Sequence, residues 1–162
     1  MKQKNIIGTA GGKMNWKKGR GKLGLFNPLI GVWQTEAKSD LGPVKCRREF
    51  KKVLSGKYIQ LQVNWEFSDR TYDELAMIGV NKENEIRFWS FTSDGKESEG
   101  KLADVTDIHP KAIGFEAQMP AGLARIVYWP DENHGFHWVV ESKNKKGWNR
   151  FVVHHYLQMD EK

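Results

Sequence analysis

From Leu29 onward the chain is a series of short segments, mostly seven to twelve residues long, each ended by a turn signal. The clearest is Tyr58–Phe67. Ile59, Leu61, Val63, Trp65 and Phe67 share one face, while Tyr58, Gln60, Gln62, Asn64 and Glu66 share the other. A period of two with one apolar face is the signature of a half-buried β-strand. The same reading gives strands at Leu29–Ser39, Val44–Leu54, Thr71–Val80, Glu85–Ser93, Lys96–Asp104, Lys111–Met119, Gly122–Trp129, Phe136–Lys143 and Trp148–Met159. The breaks between them are short and turn-like: Asp40-Leu41-Gly42-Pro43, Ser68-Asp69-Arg70, Asp94-Gly95, Pro120-Ala121, Asn144-Lys145-Lys146-Gly147. Asp94-Gly95 reads as a two-residue hairpin.

About ten strands joined in succession by short turns predict an antiparallel meander. Left open, such a sheet exposes two edges; closing it removes both. The expected fold is therefore all-β, a ten-stranded antiparallel up-and-down barrel over residues 28–160. No long helix is expected, and Asn15–Pro28 is expected to hold a short turn that plugs one end. With 162 residues, one core is the expectation, and 39% hydrophobic and 12% aromatic residues exclude a disordered chain. No apolar run reaches the roughly 18–20 residues of a membrane-spanning helix. The start carries no apolar stretch of signal-peptide length. Cys46 stands alone, so neither an intrachain disulfide nor a multi-cysteine zinc site is available. A cytoplasmic location is the expectation.

The formal net charge is +6, but it is unevenly placed. Residues 1–23 hold seven Lys and Arg and no acid, leaving nineteen positive residues against twenty acids in the other 139. The basicity belongs to a Gly-rich arm, expected to be flexible over residues 1–27, and the body is near neutral. No nucleic-acid motif follows the arm, so no nucleic-acid partner is expected for the barrel.

The first strand contains Gly31-Val32-Trp33 after a short leading segment. This resembles the calycin superfamily, which includes lipocalins, fatty-acid-binding proteins and the haem-binding nitrobindins. The sequence is most similar to small bacterial lipocalin-like proteins of unknown function. The resemblance implies that Trp33 closes one barrel end and that a basic residue near the last strand, here Arg150, packs on it. It also implies a ligand inside the barrel. Two departures stand out: the disulfide of secreted lipocalins is missing, and no helical lid follows the first strand.

A barrel of this size is either filled by side chains or holds one small ligand. Trp65, Trp89, Trp129, Trp138 and Trp148 suit a ring-lined wall for a flat or apolar guest, or a filled core. Arg125, flanked by apolar residues beside Tyr128, either exits to solvent or joins Arg87 and Tyr72 in recognising a carboxylate. Met77 is a candidate adaptable wall residue. His154 and His155 point to opposite faces of the last strand. His155 shares its face with Phe151, Val153 and Leu157; His154 shares its face with Trp148, Arg150, Val152 and Tyr156. With the apolar face inward, His155 becomes an imidazole in an oily pocket, as a haem ligand requires, and nitrobindin resemblance makes His155 or His154 the candidate. His137 on the neighbouring strand, paired with a last-strand histidine, offers two metal ligands, but no third at suitable spacing is apparent, so no metal is expected. Lys45-Cys46-Arg47-Arg48 is a cationic setting that favours a thiolate, yet no partner base is evident.

The expected function is binding of a small apolar or amphipathic ligand in the cavity, without turnover. The ligand-site candidates are Trp33, Trp65, Tyr72, Met77, Arg87, Trp89, Arg125, Tyr128, His137, His154 and His155. Haem binding through a last-strand histidine and an enzyme acting on a lipid-like substrate remain alternatives. Nothing in the sequence excludes a homodimer.

Overall fold

The structure is a computed structural model that describes residues 15–132 and 134–159. The basic residues Lys2, Lys4 and Lys13 lie outside the described residues. The strands are β1 (Gly31–Ser39), β2 (Gly42–Val53), β3 (Tyr58–Phe67), β4 (Thr71–Val80), β5 (Ile86–Thr92), β6 (Glu97–Ala103), β7 (Ile113–Met119), β8 (Gly122–Pro130), β9 (Phe136–Asn144) and β10 (Gly147–Gln158). Each pairs antiparallel with its neighbours in sequence, and β10 pairs with β1 to close a ten-stranded barrel. The expected up-and-down barrel is the observed fold.

Alternation decides what lies inside. Val44, Cys46, Arg48 and Phe50 of β2 point inward beside Ile59, Leu61 and Val63 of β3, then Ala76 and Ile78 of β4. Phe88, Phe115, Tyr128, Trp138 and Tyr156 complete the ring from the other strands. The outer wall carries a row of charges in register: Lys101, Glu116, Arg125, Glu141 and Arg150. Within it Glu141 is 4% exposed and receives Arg125 Nε and Arg150 Nε, both at 2.8 Å. An apolar inside and a charged outside are the reverse of a barrel wall that faces lipid. Among the described residues no helix is long and apolar enough to cross a membrane.

One end is plugged. A short 3₁₀ helix, Lys22–Leu29, lowers Phe26 and Leu29 into the barrel, where both are fully buried. Phe26 stacks on Phe115 at 5.7 Å. Trp33 seals the same end, donating its indole N–H to Leu29 O at 2.8 Å and packing edge-on to Phe136 at 4.8 Å. Trp16 also docks there, with Nε1 donating to Lys111 O at 3.0 Å. The expected arm boundary at residue 27 therefore falls too late. Trp16, Leu23 and Phe26 bury apolar area on the core, so residues 15–27 belong to the barrel as its cap.

The opposite end carries the turns that follow β1, β3, β5, β7 and β9. The β5–β6 connection has three loop residues rather than two: Thr92 N donates to Lys96 O at 3.0 Å, and Gly95 adopts φ +83°. A left-handed glycine closing a three-residue loop matches strand twist better than an unprimed two-residue turn. The β1–β10 seam is the weakest. Only Trp33↔Gln158 and Gln34↔Leu157 pair across it, against nine register pairs between β1 and β2. Beyond Gln34 no register pair joins β1 to β10.

Trp33 joins plug, seam and core at one point. Trp33→Ala is expected to lower unfolding free energy by about 3–5 kcal/mol in a urea titration. A loss below about 1 kcal/mol would show that the plug holds without it.

Candidate functional site

The interior is not uniformly apolar. Arg48 sits inside, 2% exposed, with its guanidinium 4.4 Å from the Trp138 ring centre, 5.2 Å from Tyr156 and 5.7 Å from Tyr128. Its Nη1 donates to Tyr128 Oη at 2.9 Å. Its Nε and Nη2 have no acceptor among the described residues, and neither do the buried indole nitrogens of Trp65 and Trp138. These four donors belong to one cluster, since Trp65 and Trp138 pack at 6.2 Å and His154 lies 5.3 Å and 5.0 Å from them. Unmatched buried donors cost on the order of 1–3 kcal/mol each. Four together mark a place where the fold gives up stability.

The charge on Arg48 persists. Burial works against it, but Tyr128, Tyr156 and Glu74 more than offset that, and the net shift is upward. Glu74 lines the same cavity and accepts from Ser90 Oγ at 2.7 Å. The cavity between these groups has a volume of about 40 Å³ and is walled by Leu61, Ala76, Ile78, Phe88, Phe115 and Ile126 besides the polar set. At roughly 10–15 Å³ per water centre, that is room for about three waters or a compact head group. A larger hollow, about 610 Å³, lies at the turn-bearing end against Ala37, Val44 and Phe67 and is open to solvent.

His154 points inward, 6% exposed, with Nδ1 3.2 Å from Tyr156 Oη. Burial, and then the charge of Arg48, push its pKa down to about 4. It is a neutral imidazole at pH 7. Burial pushes Cys46 up to about 11, against the opposing pull of Arg48. The thiolate favoured by its cationic sequence setting is therefore disfavoured: Arg47 faces outward, and Arg48 does not outweigh desolvation.

The candidates divide between two faces. Trp33, Trp65, Tyr128 and His154 are inside; Tyr72, register partner of Trp65, stands at the rim with Oη 3.4 Å from Asp94. Met77, Arg87, Trp89, Arg125, His137 and His155 lie on the outer wall. Met77 and Trp89 are register partners there, and Arg87 bonds Gly100 O and Glu99. Arg125 is held by Glu141 and by both oxygens of Asp107 (3.1 and 2.9 Å), under Trp148 at 4.2 Å. It therefore does not join Tyr72 in a carboxylate site.

Arg150 likewise does not meet Trp33. It stacks over Trp129 at 5.4 Å on the outside, far along β10 from Gln158, the register partner of Trp33. The register sets Arg150 far along β10 from Trp33, and a β-bulge between Arg150 and Val152 also determines which way it faces. The extra residue flips the alternation, so Trp148 and Arg150 face out while Val152, His154 and Tyr156 face in. The apolar face of β10 is thus the outer one, with Phe151 and Val153 both 58% exposed, and His155 goes outside with it. The haem alternative does not fit this interior. His155 is outside, and the rings of Trp65, Trp138 and Tyr156 around His154 leave no space of porphyrin size.

Arg48 escaped the sequence reading, though its signal was present. Val44, Cys46, Arg48 and Phe50 alternate on one face, and only the β3-like strictness of that pattern would have placed a charge inside.

No family model matches the chain, and no curated protein matches it. Among solved structures it is similar to a de novo designed fluorescence-activating beta barrel. The identity is 17%, the match covers 80% of this chain and 93% of that chain, and the TM-score is 0.40. That likeness carries no argument about a ligand. The class rests on the strand order itself: a closed ten-stranded antiparallel barrel with a buried cation in its lumen.

His154 imposes a pH dependence. Unfolded histidine binds a proton below about 6.5, whereas the folded ring resists until about 4. The unfolded state therefore takes up more protons in that window, and stability falls as pH drops through it. Allowing for screening near the open end, the loss is about 2 kcal/mol. Chemical denaturation at stepped pH is expected to show this slope in the parent and not in His154→Gln; equal slopes in both would refute the assignment.

Proposed function

We propose that the barrel binds a small, mainly apolar molecule carrying one oxygen-acceptor head group, and that the head group docks on Arg48. The unpartnered Nε and Nη2 edge of Arg48 is the observation that carries this reading. Those two N–H groups are parallel, and a carboxylate matches them with two charge-assisted hydrogen bonds. The Trp65 and Trp138 indoles add two neutral donors on the same side. Glu74 already balances part of the Arg48 charge, which favours a monocarboxylate or a carbonyl over a dianion. The apolar wall from Leu61 to Ile126 takes a short tail.

The calycin resemblance supports the same class of function. Trp33 does seal the closed end, while its expected partner Arg150 is elsewhere. Binding without turnover is the simpler reading, because Cys46 stays a thiol and burial raises Tyr128 and Tyr156, which stay protonated.

Isothermal titration with acetate, butyrate and octanoate, with methyl butyrate as the uncharged control, tests the proposal. Butyrate is expected to bind with one site and to outbind its ester. Arg48→Met is expected to abolish that binding in a protein that still folds, as far-UV circular dichroism checks, although Tyr128 and Glu74 then lose a partner and stability falls. Undiminished butyrate affinity in a folded Arg48→Met protein would overturn the assignment.

A further inference from the structure

On the outer wall, beside the plugged end, the fold gathers three metal-ligating side chains that are far apart in sequence. His137 of β9 and His155 of β10 are direct register partners, with ring centres 4.9 Å apart. Asp131 follows β8 in the turn to β9. Its backbone N–H donates to Gly135 O at 3.1 Å, and its Oδ1 accepts the N–H of Glu132. This fixes the carboxyl so that Oδ2 faces His155 Nε2 at 2.8 Å. One ligand atom from each of the three residues lies within 4.8 Å of the other two. A zinc ion with bonds of about 2.0–2.1 Å holds its ligand atoms about 3.3 Å apart, a spacing between the 2.8 Å Asp131–His155 contact and the 4.8 Å within which all three ligand atoms lie.

We propose that Asp131, His137 and His155 form a binding site for one divalent transition-metal ion, with Zn²⁺ the best match. Two imidazoles and one carboxylate make a donor set of the right softness and leave the fourth position open to water. His137 makes no side-chain hydrogen bond among the described residues, so its ring nitrogens are not engaged by a protein partner, and one of them lies within reach of the other two ligand atoms. Arg150, stacked over Trp129, is a cation near the site, but its Nε is paired with Glu141 at 2.8 Å, which offsets the repulsion of a bound cation. The scaffold is stiff: Trp129 packs on the His137 ring at 5.2 Å, and Val127 and Val139 beneath it are fully buried. Such support from packed strands holds ligands better than a loop does. The site lies on the wall opposite the lumen face of β9 and β10, so it stands or falls independently of the Arg48 proposal.

The test is a Co²⁺ titration of the full chain at neutral pH, read by the visible d–d absorption of the bound ion, with Zn²⁺ competition to follow. The expected result is one saturable site whose band is bleached by one equivalent of Zn²⁺. His137→Ala and His155→Ala are each expected to weaken it by at least about tenfold, the loss that even outer partners of a metal cause. His134→Ala, in the same turn, is expected to leave it unchanged. Far-UV circular dichroism checks that each variant folds. If His155→Ala does not fold, Asp131→Asn carries the test, because it keeps the Oδ1 acceptor of the turn and must show the same loss. No saturable cobalt band in the parent, or an undiminished one in folded His137→Ala or Asp131→Asn, would overturn the site and leave Asp131–His155 as an ion pair only.

Discussion

Closure of the sheet is the constraint on which everything else depends. A ten-stranded meander has inner side chains that are core only if β1 reaches β10. It does so through two register pairs and one further bond, Met159 N to Val32 O at 2.8 Å. The seam is short because Trp33 sits on it and must also reach the plug through Leu29. The closing contacts are thus concentrated where the helix caps the barrel.

Closure also turns one charge into the dominant feature of the interior. Arg48 lies on the inner face because its strand alternates, and no neighbour supplies a full set of acceptors. A fold selected for stability alone would place an apolar residue there, as the surrounding Val63, Leu61 and Phe50 show. Keeping an arginine, two indole donors and a neutral histidine around one small cavity costs stability, and the proposed oxygen-acceptor site rests on that cluster. The outer wall uses its arginines differently. Arg125 and Arg150 converge on Glu141, and their charges are satisfied without any ligand.

Much of this was legible in the sequence. Ile59 through Phe67 alternate so cleanly that the face of β3 was never in doubt, and the turns at Pro120-Ala121 and Asn144–Gly147 lie where their residues indicate. The short plugging turn expected over Asn15–Pro28 is there as the 3₁₀ helix before β1. What was not readable was the bulge at Arg150–Val152, because a bulge changes alternation by one residue and leaves no mark in composition. That single residue sets His154 inside and His155 outside while Arg150 stays on the outer wall. The third ligand beside His137 and His155 was hidden for another reason: Asp131 comes close only through the β8–β9 turn, which spacing does not reveal.

The most direct measurement of the central claim is nitrogen-15 NMR of the Arg48 Nε–H and of the Trp65 and Trp138 indole N–H groups during a butyrate titration. Recognition of a carboxylate by the buried donor cluster requires these three resonances to shift together and to saturate with the ligand. If they stay in place while butyrate perturbs only surface residues, or if nothing moves, the lumen is a filled core and the account is wrong.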